Sequence, residues 1–264
     1  MIAYVQQVLD AYDQLMRVVD VKKAVVQEEP VAVPFLVTPM FVSTVMPSLI
    51  DELRLHYPWI KLQIKEMGIS GIVNYLAEKS GIGLVLSLTD AYDSLEQRLN
   101  KHTVAWPLYD DELVACVSVA SPVAQQKQIK LEEYSRMTSV GFAADDLFFE
   151  SLGESKEQTY TSSNVSFHQQ MVLENKAVSM VAKSLFPHIF PTEQVKKLSV
   201  IPSIRIRYVV LLNTQTVTEA TKIVLQTLHQ YIYGLTGHLP RALYMGKAAK
   251  ARAQQAQMGN NQQP

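Results

Sequence analysis

A chain of 264 residues, 48% apolar and 19% charged, carries enough apolar material for one large or two modest cores, which excludes a disordered or fibrous protein. With 24 Lys and Arg against 25 Asp and Glu the net charge is −1, so the chain lacks the basic surplus by which a stand-alone domain grips duplex DNA. Cys116 is the single cysteine, which excludes an internal disulfide and fits a reducing cytosol. No segment reaches the roughly 18 uncharged apolar residues of a membrane span, and the first residues carry no export pattern, so a cytoplasmic protein is expected.

Along residues 1–29 apolar side chains recur at Ile2, Val5, Leu9, Tyr12, Met16, Val19 and Val26, with Lys23 interrupting. This alternating three-four spacing predicts a linker helix that pairs with another helix, and an ordinary amphipathic helix on the body would share it. Glu28, Glu29 and Pro30 end it. Val31–Val37 reads as a strand, in which Pro34 demands an edge position or a bulge. Phe41–Tyr57 has helical spacing, and 61–66 reads as a strand with Leu62 and Ile64 inward. A helix over 71–79 and an apolar strand over Leu84–Leu88 complete a strand-helix-strand-helix-strand series, hence a mainly parallel sheet under helices on both faces.

A strand over 112–119 holds Cys116, read as a small buried hydrophobe because no basic residue or redox partner lies beside it in sequence. A second series follows: a strand over 139–143, a charged loop over 145–161, a helix over 165–175 and a strand over 178–181. The loop's Asp145 and Asp146 read as solvated rather than metal-binding. The last strong strand is 204–212 and the last helix 218–233; from Gly246 the composition predicts disorder. In open α/β sheets ligands lie beyond the carboxyl ends of the strands, which points to the loops after Val37, Glu66 and Leu86.

The stretch Met46–Ser70 resembles a signature of LysR-type effector-binding domains, with Met46-Pro47, then Leu53, then Tyr57-Pro58 before a strand, and Gly68 and Ser70 after it. The similarity continues through Leu108, the Asp-Glu-Leu-Val run 111–114, Ser121-Pro122 with Ala124, Leu131 and Tyr134, and again through 162–181. It departs at Ser80–Gly83, where the family's usual acidic residue is absent, and at Asn175 and Ala177, which stand for glycines. Asn readily takes a left-handed conformation, so that turn can survive.

The resemblance implies an α/β chain with two Rossmann-like lobes of the type 2 periplasmic-binding-protein fold after the linker helix. Lobe I would be 30–136 and 205–237, lobe II 137–204, and the tail 238–264, with the chain crossing between lobes near Arg136–Ser139 and Pro202–Ile206. It also implies a small effector between the lobes and no cofactor, metal or catalytic residue. The positions matching the family's binding loops are Thr38, Pro39, Met40, Ser70, Ser87, Thr89, Phe142 and Ala143, with Asn164, Phe167 and His168 opening the helix of the second lobe. Hydroxyls and free amides at helix starts suit an anion, yet the same Ser and Thr residues serve equally as helix caps, and a lone His is more often a hydrogen-bonded structural group.

Partners implied are a second copy of the chain, a tetramer in the full-length form, and DNA only through a winged helix-turn-helix head that would precede residue 1. The dimer contact would set the helix 41–57 of one subunit beside the helix 165–175 of the other. The sequence has no HExxH, GxSxG, P-loop or GxGxxG motif, which disfavours an enzyme; a solute-binding protein on the same fold is the other alternative.

Overall fold

The computed structural model describes residues 29–142 and 159–236, so the linker helix, Ala143, the Asp145-Asp146 pair and the tail lie outside the described residues. Strand β1 (Val31–Val37) is apolar on both faces, and its alternate residues feed two separate cores. Val33, Phe35 and Val37 point into one, Leu36 into the other. β2 (Ile60–Glu66) runs parallel to β1 along its whole length, while β3 (Ile82–Leu88) joins the other side from Phe35 onward. Pro34 therefore lies where β1 has one neighbour, a local edge at which its missing N–H costs no ladder bond. β2 is a true edge strand, so Leu62 is only half-buried and Ile64 is exposed, contrary to the inward pattern expected of them.

The single helix expected over 41–57 is two helices, α1 (Pro39–Thr44) and α2 (Met46–His56), each with a proline in its first turn. α2 buries Met46, Leu49 and Leu53 in the core of Val33 and Phe35. On the opposite face α3 (Ile69–Glu78) buries Ile69, Ile72, Val73 and Leu76, and α4 (Tyr92–Gln97) buries Tyr92 and Leu95. Full burial of a side chain the size of Ile72 or Leu76 contributes about 1.5–3 kcal/mol, so these few contacts hold α3 to the sheet.

Strands β4 (Thr103–Ser118) and β10 (Arg205–Asn213), antiparallel to each other, complete a lobe I sheet of order β2-β1-β3-β10-β4. In lobe II, β4 pairs with β8 (Val178–Ala182) and β9 (Val195–Ile201); β6 (Ser139–Gly141) and β7 (Thr159–Thr161) extend β8, and β5 (Gln128–Lys130) pairs with β9. Helices α5 (Leu131–Ser135), α6 (Val165–Leu173) and α7 (Phe186–Ile189) flank this sheet, and α8 (Glu219–Thr236) returns to pack on α2 and β1.

The first passage between lobes differs from expectation. β4 bonds to β10 as far as Glu112 and to β8 from Leu113, so the chain changes sheets there and not at Arg136–Ser139. One continuous strand serves both sheets, and no turn residue marks the change. The return passage lies between β9 and β10, across Pro202–Ile204.

At the end of α6, Asn175 adopts φ 53°, with its N–H on Val172 O at 3.0 Å and the Lys176 N–H on Met171 O at 2.9 Å. This paired closure is the Schellman arrangement, with Asn in the place a glycine most often takes.

Candidate functional site

Thr38 ends β1 and stands at the N-cap position of α1 in an extended conformation, but its hydroxyl caps nothing. Its Oγ1 is buried and makes no hydrogen bond, while its N–H reaches Leu84 O on β3 at 3.3 Å. Pro39 and Met40, both buried, form the first turn of α1. At the end of the neighbouring β3, Thr89 opens a short 3-10 turn, and its Oγ1 is likewise buried and unpaired. Two orphaned hydroxyls thus sit at the carboxyl ends of adjacent strands. Ser87 is buried within β3 and donates to the carbonyl of Leu88 at 3.0 Å. Ser70, second residue of α3, accepts from Arg98 Nη2 at 2.8 Å, so a guanidinium is held at the start of that helix.

In lobe II, Phe142 is buried and stacked on the His168 imidazole, with centroids 3.9 Å apart. His168 is fully buried; Nε2 lies 2.8 Å from Ser162 O and Nδ1 3.3 Å from Ser179 Oγ. A carbonyl only accepts, so Nε2 carries the hydrogen and the Ser179 hydroxyl donates to Nδ1. Burial holds this imidazole below its usual range, partly opposed by the Ser162 carbonyl. Asn164 Oδ1 accepts from the N–H groups of Ser166 and Phe167 at 2.9 and 3.2 Å, which makes it the cap of α6. Phe167 is 38% exposed.

The structure therefore separates the expected residues into two groups. Thr38 and Met40 lie at the end of β1 and Thr89 just past the end of the neighbouring β3, which runs further than β1, and α1, which begins at the end of β1, packs against both α6 and α7 of lobe II. Asn164 and His168 have complete structural roles, and Phe167 faces outward.

Sequence reasoning missed a polar cluster where the lobes join. Asp111 Oδ2 accepts from the Ser184 N–H at 3.0 Å and from Tyr208 OH at 3.3 Å, and Ser184 Oγ lies 2.7 Å from the same phenol. Glu112 holds Lys183 Nζ at 2.6 Å with Oε1 and accepts from Ser203 Oγ at 3.1 Å with Oε2. The Lys183 ammonium keeps the Glu112 carboxyl below its ordinary range, and Glu112 in turn raises Lys183. Beside them Asp110 grips Arg207 with both oxygens, at 2.6 and 3.1 Å. The run of three acids was the available signal, but nothing in one sequence pairs it with residues about 70 to 97 positions away.

Among the described residues no cluster of three His, Cys, Asp or Glu side chains offers a metal site, and no helix is long and apolar enough to cross a membrane.

The family model of the LysR substrate binding domain matches residues 35–232. The chain belongs to that family. Solved structures repeat the likeness at low identity. A full-length OxyR variant from Pseudomonas aeruginosa is 14% identical with a TM-score of 0.61, over 88% of this chain and 74% of its own. A full-length BenM mutant is 15% identical with a TM-score of 0.61, over 90% and 78%. The C-terminal domain of a probable LysR family transcriptional regulator from Rhodococcus sp. RHA1 is 15% identical with a TM-score of 0.59, over 75% and 98%. At such identities the structures establish the shared type 2 periplasmic-binding-like fold. No curated protein matches the sequence.

Proposed function

We propose that this LysR-family domain senses a small anionic effector between its lobes, at the strand ends marked by Thr38, Met40, Ser70, Ser87 and Thr89, with Phe142 on the facing lobe. The observation that carries this reading is the pair of buried, unpaired hydroxyls of Thr38 and Thr89. An unsatisfied buried hydroxyl costs about 1–3 kcal/mol, and an effector carboxylate that accepts from it offsets that cost once the lobes part to admit the ligand. Arg98, held at the start of α3 by Ser70, adds a positive group at the same end of lobe I.

Signal transmission in this reading passes through a homodimer, and DNA is reached in the cytoplasm only through a head domain. Exposed apolar residues support the dimer arrangement, with Leu55 (73%) and Ile64 (36%) on the α2 and β2 side and Tyr160 (54%) with Phe167 on the β7 and α6 side. Each subunit then offers both patches across a two-fold axis.

A thermal-shift screen of small carboxylates, amino acids and aromatic acids tests the site. A ligand at about 100 times its Kd adds about 2.7 kcal/mol to the folded state. That shift should vanish in Thr38→Val and Ser70→Phe while the unliganded melting point stays within a few degrees. A hit with an undiminished shift in both variants places the effector elsewhere. Sedimentation of Leu55→Asp tests the dimer, and a wild-type chain that is monomeric at tens of micromolar removes it.

A further inference from the structure

Three consecutive acids, Asp110, Asp111 and Glu112, sit on β4 at the point where it leaves one sheet for the other. Their partners differ in kind. Asp110 binds Arg207, its cross-strand neighbour on β10 in lobe I. Asp111 and Glu112 reach instead to Ser184 and Lys183, which follow β8 in lobe II. Neighbouring strand residues point to opposite faces, so the two bridges grip the junction from both sides. The backbone follows the same lines: Lys183 N–H donates to Glu112 O at 2.9 Å and Leu113 N–H to Ile204 O at 2.9 Å.

From this arrangement we infer that Asp111 and Glu112 are an interlobe clamp, closed on one face by Ser184 with Tyr208 and on the other by Lys183 with Ser203, and that the clamp fixes the angle between the lobes. Tyr208 is the buried member. Its ring packs on Phe41 of α1 and on Tyr109, with centroids 5.2 and 5.7 Å apart, and burial holds its phenol well above the ordinary range, so it remains a hydrogen-bond donor. α1 packs in turn on α7, which starts two residues after Ser184. The clamp, α1 and α7 thus form one closed set of contacts, and any rotation of lobe II against lobe I must break the Asp111 and Glu112 bridges.

Cys116 is fully buried, so two introduced cysteines can be spin-labelled selectively. Exposed Glu78 on α3 in lobe I and exposed Lys196 on β9 in lobe II, changed as Glu78→Cys and Lys196→Cys, report the interlobe distance by pulsed electron resonance. The unliganded chain should give one narrow distance peak. Asp111→Asn, Glu112→Gln and Tyr208→Phe should each broaden or shift that peak, and in Asp111→Asn the Ser184 amide should exchange about tenfold faster, as the loss of a charge-assisted hydrogen bond implies. Asp110→Asn removes an ion pair of the same strand but should leave the peak unchanged. Broadening in Asp110→Asn equal to that in the other variants would make the effect general loosening and overturn the clamp. An unchanged peak in folded Asp111→Asn and Glu112→Gln would overturn it as well.

Discussion

Replacing Gly83 by alanine would set a methyl group 2.5 Å from Cγ2 of Ile72, 3.2 Å from Cβ of Leu211 and 3.2 Å from Cδ1 of Leu76. Carbon atoms settle about 3.5–4.0 Å apart, so the first contact must open by about 1 Å. Ile72 cannot swing aside, because a β-branched side chain in a helix keeps one favoured χ1 and this one is fully buried. The remaining response is for α3 to lift from the sheet, carrying Ser70 with it. Overpacking of this kind costs about 1–3 kcal/mol, and with no mobile neighbour the upper part of that range is expected. In urea melts followed by circular dichroism the midpoint should fall by about 1 M with an unchanged slope. Ile72→Ala alone should cost about 2–5 kcal/mol, but added to Gly83→Ala it should cost less than the sum, since the new methyl fills part of the vacated space. If Gly83→Ala lies within about 0.5 kcal/mol of wild type, the close approach of α3 to β3 is wrong.

Asn175→Ala should lose about 1–2 kcal/mol, because φ 53° strains a residue with a Cβ and no local hydrogen-bonding side chain, whereas Asn175→Gly should match or exceed the wild type in a thermal melt. Burial depresses both His168 and His229, so as pH falls through 6.5 the unfolded chain takes protons before the folded one does. The melting temperature should therefore drop on acidification from pH 7.5, level off below the folded-state values, and fall less in His168→Gln; a pH-independent melt between 7.5 and 5.5 refutes this. Cys116 is wholly enclosed and its thiol is pushed well up by burial, so a thiol reagent should label it only in denaturant, and stoichiometric labelling of the native chain would contradict the core assignment.

Much of the fold was legible because its elements announce themselves locally. The apolar runs Val31–Val37 and Leu84–Leu88 read as strands, and the helix expected over 71–79 coincides with most of α3. Even the left-handed turn at Asn175 follows from residue type. The edges of the fold were less legible. β9 was missed because Lys196-Lys197 breaks the alternation that marks a half-buried strand, and α7 because four residues carry no periodicity. Ile64 shows the converse: period two identified a strand, but whether its apolar face is covered depends on what packs beside β2.

At the candidate site the sequence by itself determined which residues follow the strands, hence Thr38, Ser70 and Thr89. Only the tertiary structure decided that Thr38 and Thr89 keep unpaired hydroxyls while Asn164 and His168 are satisfied by Ser166, Phe167, Ser162 and Ser179. It likewise decided that Asp111 and Glu112 face Ser184 and Lys183 across the junction of the lobes. The physical reason is range: propensity and periodicity act over a few residues, whereas hydrogen-bond satisfaction depends on partners brought together by folding from distant parts of the chain.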